Sequence, residues 1–111
     1  MNKIETVRLT IETGDVGHTE SVRIVFNRHE VELAVESGST EAGTTFVGSF
    51  DVHSVAHTVV LLAPAASSWV IRDLRASFVG PEPLENCYSD VELEPGGELD
   101  ILTPPVVSFD V

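Results

Sequence analysis

Apolar residues along this chain recur with a period near two. Val7, Leu9 and Ile11 alternate with Arg8, Thr10 and Glu12, the pattern of a strand with one face buried and the other in water. Val22, Ile24 and Phe26 repeat it against Arg23 and Val25. Val31, Leu33 and Val35 do so again, against Glu30, Glu32, Ala34 and Glu36. Between these two runs, Asn27-Arg28-His29 reads as a hairpin loop, because asparagine tolerates left-handed turn geometry. A polar, glycine-bearing loop from Ser37 to Thr44 follows, and then Phe46, Gly48, Phe50 and Val52 alternate. The run from Val55 to Leu62 is apolar except at His57 and Thr58, which predicts one strand covered on both faces. Pro64-Ala65-Ala66-Ser67-Ser68 ends it.

Trp69 and Ile71 open the next segment, and Leu74, Ala76 and Phe78 continue it with the phase moved by one. That shift predicts a bulge near Arg72-Asp73. Arg72, Asp73 and Arg75 place three charges on this short segment, which reads as an exposed edge that resists strand pairing. Gly80-Pro81-Glu82-Pro83 is a stop. Val91-Glu92-Leu93, a Pro95-Gly96-Gly97 turn and Leu99-Asp100-Ile101 come next, and after Pro104-Pro105 a last alternation of Val107, Phe109 and Val111. Helical spacing of apolar residues is absent from any window longer than two turns. The expected fold is therefore all-β, with about eight short, mainly antiparallel strands in a two-sheet β-sandwich. Residues 1–111 form one domain on this reading. Residues 103–111 are an extended strand, isolated by the two prolines, that pairs within its own chain or is exchanged with a neighbouring one.

Composition narrows the classes. Of 111 residues 42% are hydrophobic, and the mean hydropathy is +0.15, too high for a disordered chain. Eighteen acidic residues face six basic ones, for a net charge of −12. Such a field repels phosphate backbones and anionic headgroups, so nucleic acid is excluded as a partner, and a membrane surface is excluded unless calcium mediates. Lys3 is the single lysine. An acidic surface of this kind serves solubility, a salty medium, cation binding or a basic partner. The one cysteine, Cys87, permits no internal disulfide. The segment Met1-Asn2-Lys3-Ile4-Glu5 lacks a leader's layout, and the Val59 to Ala66 run is too short to cross a membrane. The expected compartment is the cytoplasm.

Four segments in order resemble the PLAT domain, a β-sandwich family. Val7 to Asp15 has that family's alternating strand running into Thr13-Gly14-Asp15, and Val16 to Ile24 is similar to its following loop and strand, with Glu20 where the family has aspartate. Phe46-Val47-Gly48-Ser49-Phe50 is similar to its Phe-x-Gly-Ser segment, and Trp69 to Ala76 to its Trp-x-Leu-x-x-Val-x-Val strand. The loop between Val35 and Phe46 and the stretch from Phe50 to Trp69 are shorter than in the family. The resemblance implies a non-catalytic module for protein or membrane-surface contacts, sometimes holding calcium through loop oxygens. Asp15 and Glu20, with carbonyls of the Gly14 to Thr19 loop, are the matching positions.

Calcium takes six to eight oxygen ligands, and loops at one end of a sandwich converge. Asp15 and Glu20 flank one loop while Glu41 and Asp51 lie near the next, so these four are the candidate metal ligands. The competing reading is a solvated acidic rim. His53 and His57, four apart on a strand, stand about 13 Å from each other and cannot share one ion; with His18 and His29 they read as surface or hydrogen-bonding histidines. Cys87 has no neighbouring histidine in sequence and reads as a small buried hydrophobe. No Gly-x-Ser-x-Gly elbow or phosphate loop occurs. The chain is thus expected to be no enzyme. Trp69 reads as core, with sugar stacking as the alternative use.

The function expected is a binding or assembly module whose partner is another protein or a second copy of itself. A calcium-dependent, PLAT-like adaptor is one alternative. A carbohydrate-binding module, which requires an exposed Trp69, is the other.

Overall fold

The computed structural model describes residues 3–103. They form two antiparallel sheets with no helix. The strands are β1 (Lys3–Thr13), β2 (Arg23–Phe26), β3 (His29–Glu32), β4 (Ala34–Gly38), β5 (Thr45–Val55), β6 (Val59–Leu62), β7 (Trp69–Val79), β8 (Leu84–Leu93) and β9 (Glu98–Asp100). One sheet has the order β4-β5-β1-β7-β8 and the other β3-β2-β6-β9. This is the two-sheet sandwich that the period of two predicts, with nine strands among the described residues. The terminal strand expected over residues 103–111 lies, beyond Thr103, outside the described residues.

The alternation works as written. Val7, Leu9 and Ile11 of β1 are fully buried, and they meet Ile24, Val59 and Leu61 of the opposite sheet in one core with Trp69, Ile71 and Phe78. Arg8 and Glu12 stay outside and pair with Glu36 at 3.0 Å and Arg72 at 3.4 Å. The expected bulge is present: Glu12 pairs with Asp73 but Thr13 with Ile71, leaving Arg72 unmatched against β1. Asn27 and Arg28, both with positive φ (48° and 73°), make a two-residue turn between β2 and β3. That is the primed turn whose twist suits a tight hairpin.

Five expectations are corrected. Val31, Leu33 and Val35 do not share one strand, since β3 and β4 lie in different sheets. The chain crosses at Leu33, whose buried side chain and bond from its N–H to Val22 O (2.9 Å) fix the corner. The run Val55 to Leu62 is likewise two strands. It leaves the larger sheet at Val55, turns through buried Ala56 and exposed His57 and Thr58, and enters the smaller sheet at Val59. An apolar corner that passes the core edge gives the same continuous signal as a strand covered twice. Third, Arg72, Asp73 and Arg75 are on no edge, because β7 lies between β1 and β8; they occupy the wet face of an interior strand. Finally, β8 spans ten residues where only its end was legible, because its inward positions are the polar Asn86 and Tyr88. Cys87 beside them is exposed rather than buried.

Candidate functional site

The sandwich has two ends with different chemistry. At one, the loop after β1 is zipped to the β4–β5 loop. His18 N–H donates to Thr40 O (3.0 Å), Thr40 Oγ1 donates back to His18 O (2.8 Å), and Gly43 N–H is shared by Thr13 O and Gly14 O. Gly17 sits so close that a Cβ there would fall 2.3 Å from Thr40 O, so no side chain fits without moving the loop. Glu20 spans to the β6–β7 loop, its carboxylate accepting the N–H groups of Ala65 (3.1 Å) and Ala66 (3.3 Å). These donors hold the Glu20 carboxyl below its usual range.

Beneath this loop His18 is buried edge-on against Trp69, with ring centroids 4.5 Å apart. Its Nδ1 accepts Glu20 N–H at 3.1 Å, which assigns the neutral ring's proton to Nε2. Nε2 is buried without a hydrogen-bond partner. Burial lowers the His18 pKa from 6.5, against the opposing pull of Glu20. The sign follows. A histidine held neutral stabilises the fold in full above pH 6.5, and that contribution is lost as pH falls from there towards the lowered folded value. Glu20 contributes above 4.5 and is lost as pH falls through its own lowered value. The melting temperature is therefore expected to drop in two stages on acidification. His18→Phe, which keeps a ring against Trp69, should abolish the upper stage alone. An unchanged upper stage in that variant would remove His18 as its origin.

The four candidate metal ligands are not brought together. Asp15, Glu20 and Glu41 lie at the loop end, but Glu20 is committed to Ala65 and Ala66. Asp51 lies well along β5, about 20 Å of extended chain from Thr45, where it accepts Thr6 Oγ1 at 2.9 Å. Loops converge at one end of a sandwich, but Asp51 is in a strand that runs to the other. No group of three or more His, Cys, Asp or Glu side chains is placed to hold a metal among the described residues. Calcium is accordingly expected to raise the melting temperature no more than equal magnesium does. A calcium-selective rise lost in Glu20→Gln would show that this loop end rearranges around the ion.

Other candidates fall out by placement. His53 is exposed with φ 46°, and His57 is exposed in the β5–β6 turn. Cys87 shares a shallow cleft with Thr10, Glu12, Thr45, Asp73 and Arg75, where no histidine stands to activate a thiol. Trp69 is fully buried and so presents no face to a sugar ring.

The opposite end carries an apolar groove of about 420 Å³, lined by Ile4, Ala56, Phe78, Pro83, Leu84 and Leu102, with Glu82 at its rim. Leu84 (43%) and Val79 (42%) are large apolar side chains left in water there. Leu84 also begins β8, which is bonded to β7 on one side and to no strand on the other among the described residues. The chain after β9 closes the sandwich beneath this edge. Asn86 Nδ2 donates to Ile101 O (3.1 Å) and Leu102 O (2.9 Å), and Tyr88 OH donates to Thr103 O. Buried Asn86 and Tyr88 thus brace β8 from inside, and among the described residues no strand pairs with its outer side. Sequence reasoning missed this region because a polar inward face leaves no apolar alternation; the Gly-Pro-x-Pro stop before Leu84 was its only signal. The chain matches no protein-family model, no curated protein and no solved structure.

Proposed function

We propose that this chain is a non-catalytic module that binds another protein, and that it does so at the end of the sandwich carrying the groove. The observation that supports this most directly is the coincidence, at Leu84, of an apolar groove and a ten-residue strand that is an edge among the described residues. An edge strand offers unpaired main-chain groups to an incoming strand, and a pocket beside it selects a side chain. The resemblance to PLAT domains, which are contact modules, agrees with this reading.

The test is photo-crosslinking of the intact chain in extract of its source cell, from a reactive group on exposed Cys87. The expected result is a partner captured by the wild type and lost when Leu84→Glu places a charge in the groove, with the purified partner then rebinding in solution. Identical capture by wild type and variant, or none by either, would defeat the proposal.

A further inference from the structure

Residues 18–21 lie between two fixed points of the backbone. Val16 O accepts Val70 N–H at 2.9 Å on one side, and Val22 O accepts Leu33 N–H at 2.9 Å on the other. Two side chains hold the segment down between them. The His18 ring packs edge-on against Trp69, and its Nδ1 accepts Glu20 N–H at 3.1 Å. The Glu20 carboxylate reaches across to the N–H groups of Ala65 and Ala66. A cleft of about 400 Å³ runs beside the segment, with Val22, Val35 and Phe46 as its apolar lining.

This arrangement suits only the neutral ring. A proton on Nδ1 turns that atom from acceptor into donor, facing the Glu20 N–H that it used to accept. Nε2 is already buried with no partner among the described residues, so a charged ring would hold two donors and no acceptor. The acceptor on the same segment is the Glu20 carboxylate, whose oxygens are engaged by Ala65 and Ala66. Either the ring swings out to water, or Glu20 leaves the β6–β7 loop to pair with it. Both moves break the same seam, because a buried charge without partners is the costlier state.

From this geometry we infer that residues 18–21 are an acid-released latch: when His18 takes up a proton, the segment lets go of Trp69 and of the β6–β7 loop while both sheets stay folded. The device lies at the loop end and does not depend on binding at the groove. Charged groups on the elements packed there are Asp15 and Glu20 of the same loop, Glu41 of the β4–β5 loop and Arg23 of β2. The stretch from Leu62 to Ile71, which supplies Trp69, carries none. Glu20 belongs to no metal-binding group among the described residues. It favours the charged ring, but burial outweighs it and holds the proton affinity of His18 below 6.5. Glu20 itself stays charged to below 4.5, so at this end the interval between those values belongs to His18. Between the lowered value of the held ring and the 6.5 of a released one, opening should grow about tenfold per pH unit.

The experiment takes the full chain from pH 6.5 to 4.5. Amide exchange, corrected for its own pH dependence, is measured beside acrylamide quenching of Trp69, the single tryptophan. Protection of the Glu20, Ala65 and Ala66 amides is expected to fall about tenfold per pH unit over part of that interval, with quenching rising in step. Amides of β1, β5 and β7 should keep their protection. In His18→Phe, Ala65, Ala66 and Trp69 should no longer respond to acid over the same interval. Ring-nitrogen resonances of the wild type report when His18 takes its proton, so the test does not hang on the variant folding. A ring that charges while Ala65, Ala66 and Trp69 stay as they were overturns the inference. So does an undiminished acid response in His18→Phe. Loss of protection in β1 and β7 together with the loop would be acid unfolding of the whole domain, and it too overturns the latch.

Discussion

Trp69→Ala is expected to lower the unfolding free energy by about 3–5 kcal/mol. The indole is fully buried at the start of β7, it packs edge-to-face with His18, and its Nε1–H donates to Thr13 Oγ1 at 3.1 Å. Truncation thus opens a cavity, strands the buried Thr13 hydroxyl and leaves the loop after β1 without its floor. Domains of this size hold roughly 5–15 kcal/mol in all, so the variant should lose a large share and melt roughly 15 °C lower or more. Trp69→Phe should cost less, about 1–3 kcal/mol, chiefly through the unpaired Thr13 hydroxyl. Denaturant unfolding followed by circular dichroism measures both, since the substitutions remove the only tryptophan. A loss under about 1 kcal/mol for alanine would mean that the indole is not the central plug of that end.

Asn27→Ala is the second large effect, expected at about 2–4 kcal/mol from three lost hydrogen bonds and a strained backbone. Asn27 closes the β2–β3 turn with φ 48°. Its Nδ2 donates to Val55 O (2.7 Å), and its Oδ1 accepts His57 N–H (2.7 Å) and Thr58 N–H (3.1 Å). One side chain thereby satisfies the backbone of the turn that carries β5 in one sheet to β6 in the other. Alanine removes all three bonds and lacks the side-chain amide that lets asparagine hold the left-handed region. Asn27→Gly relieves that backbone strain but restores no bond, so it should fall between alanine and the wild type, about 1 kcal/mol above alanine. Hydrogen exchange at His57 and Thr58 should quicken in both variants while the β1–β7 core keeps its protection. If exchange rises evenly over the whole fold instead, the clamp is not local to the crossing.

The two ends of the sandwich therefore divide the work. The loop end is closed by Glu20, Thr40 and the His18–Trp69 pair, each engaged with the fold itself. The groove end leaves an apolar hollow beside β8, whose outer side no strand pairs with among the described residues. Stability variants at Trp69 and binding variants at Leu84 sit at opposite ends, so their effects should add independently. Measuring Leu84→Glu in the Trp69→Phe background checks that separation.

What the sequence determined by itself was local and periodic. Alternation at Val7-Leu9-Ile11, at Ile24-Phe26 and at Leu74-Ala76-Phe78 fixes strand character and the inward face, because the pleat repeats every two residues. The phase slip between Ile71 and Leu74 placed the bulge at Arg72 for the same reason. The tertiary structure alone decided where one alternating run becomes two strands in different sheets, at Leu33 and at Ala56. A corner residue that dips into the core leaves the same apolar mark as one inside a strand. It also decided that β7 is interior while β8 is, among the described residues, an edge, since pairing order depends on long-range registers that no local pattern records. Asp15, Glu20, Glu41 and Asp51 were close in sequence-based expectation, but β5 carries Asp51 away and the fold spends Glu20 on two backbone donors. The groove at Leu84 was invisible for the converse reason: Ile4, Ala56, Phe78, Leu84 and Leu102 come from five separate segments, and only packing makes them neighbours.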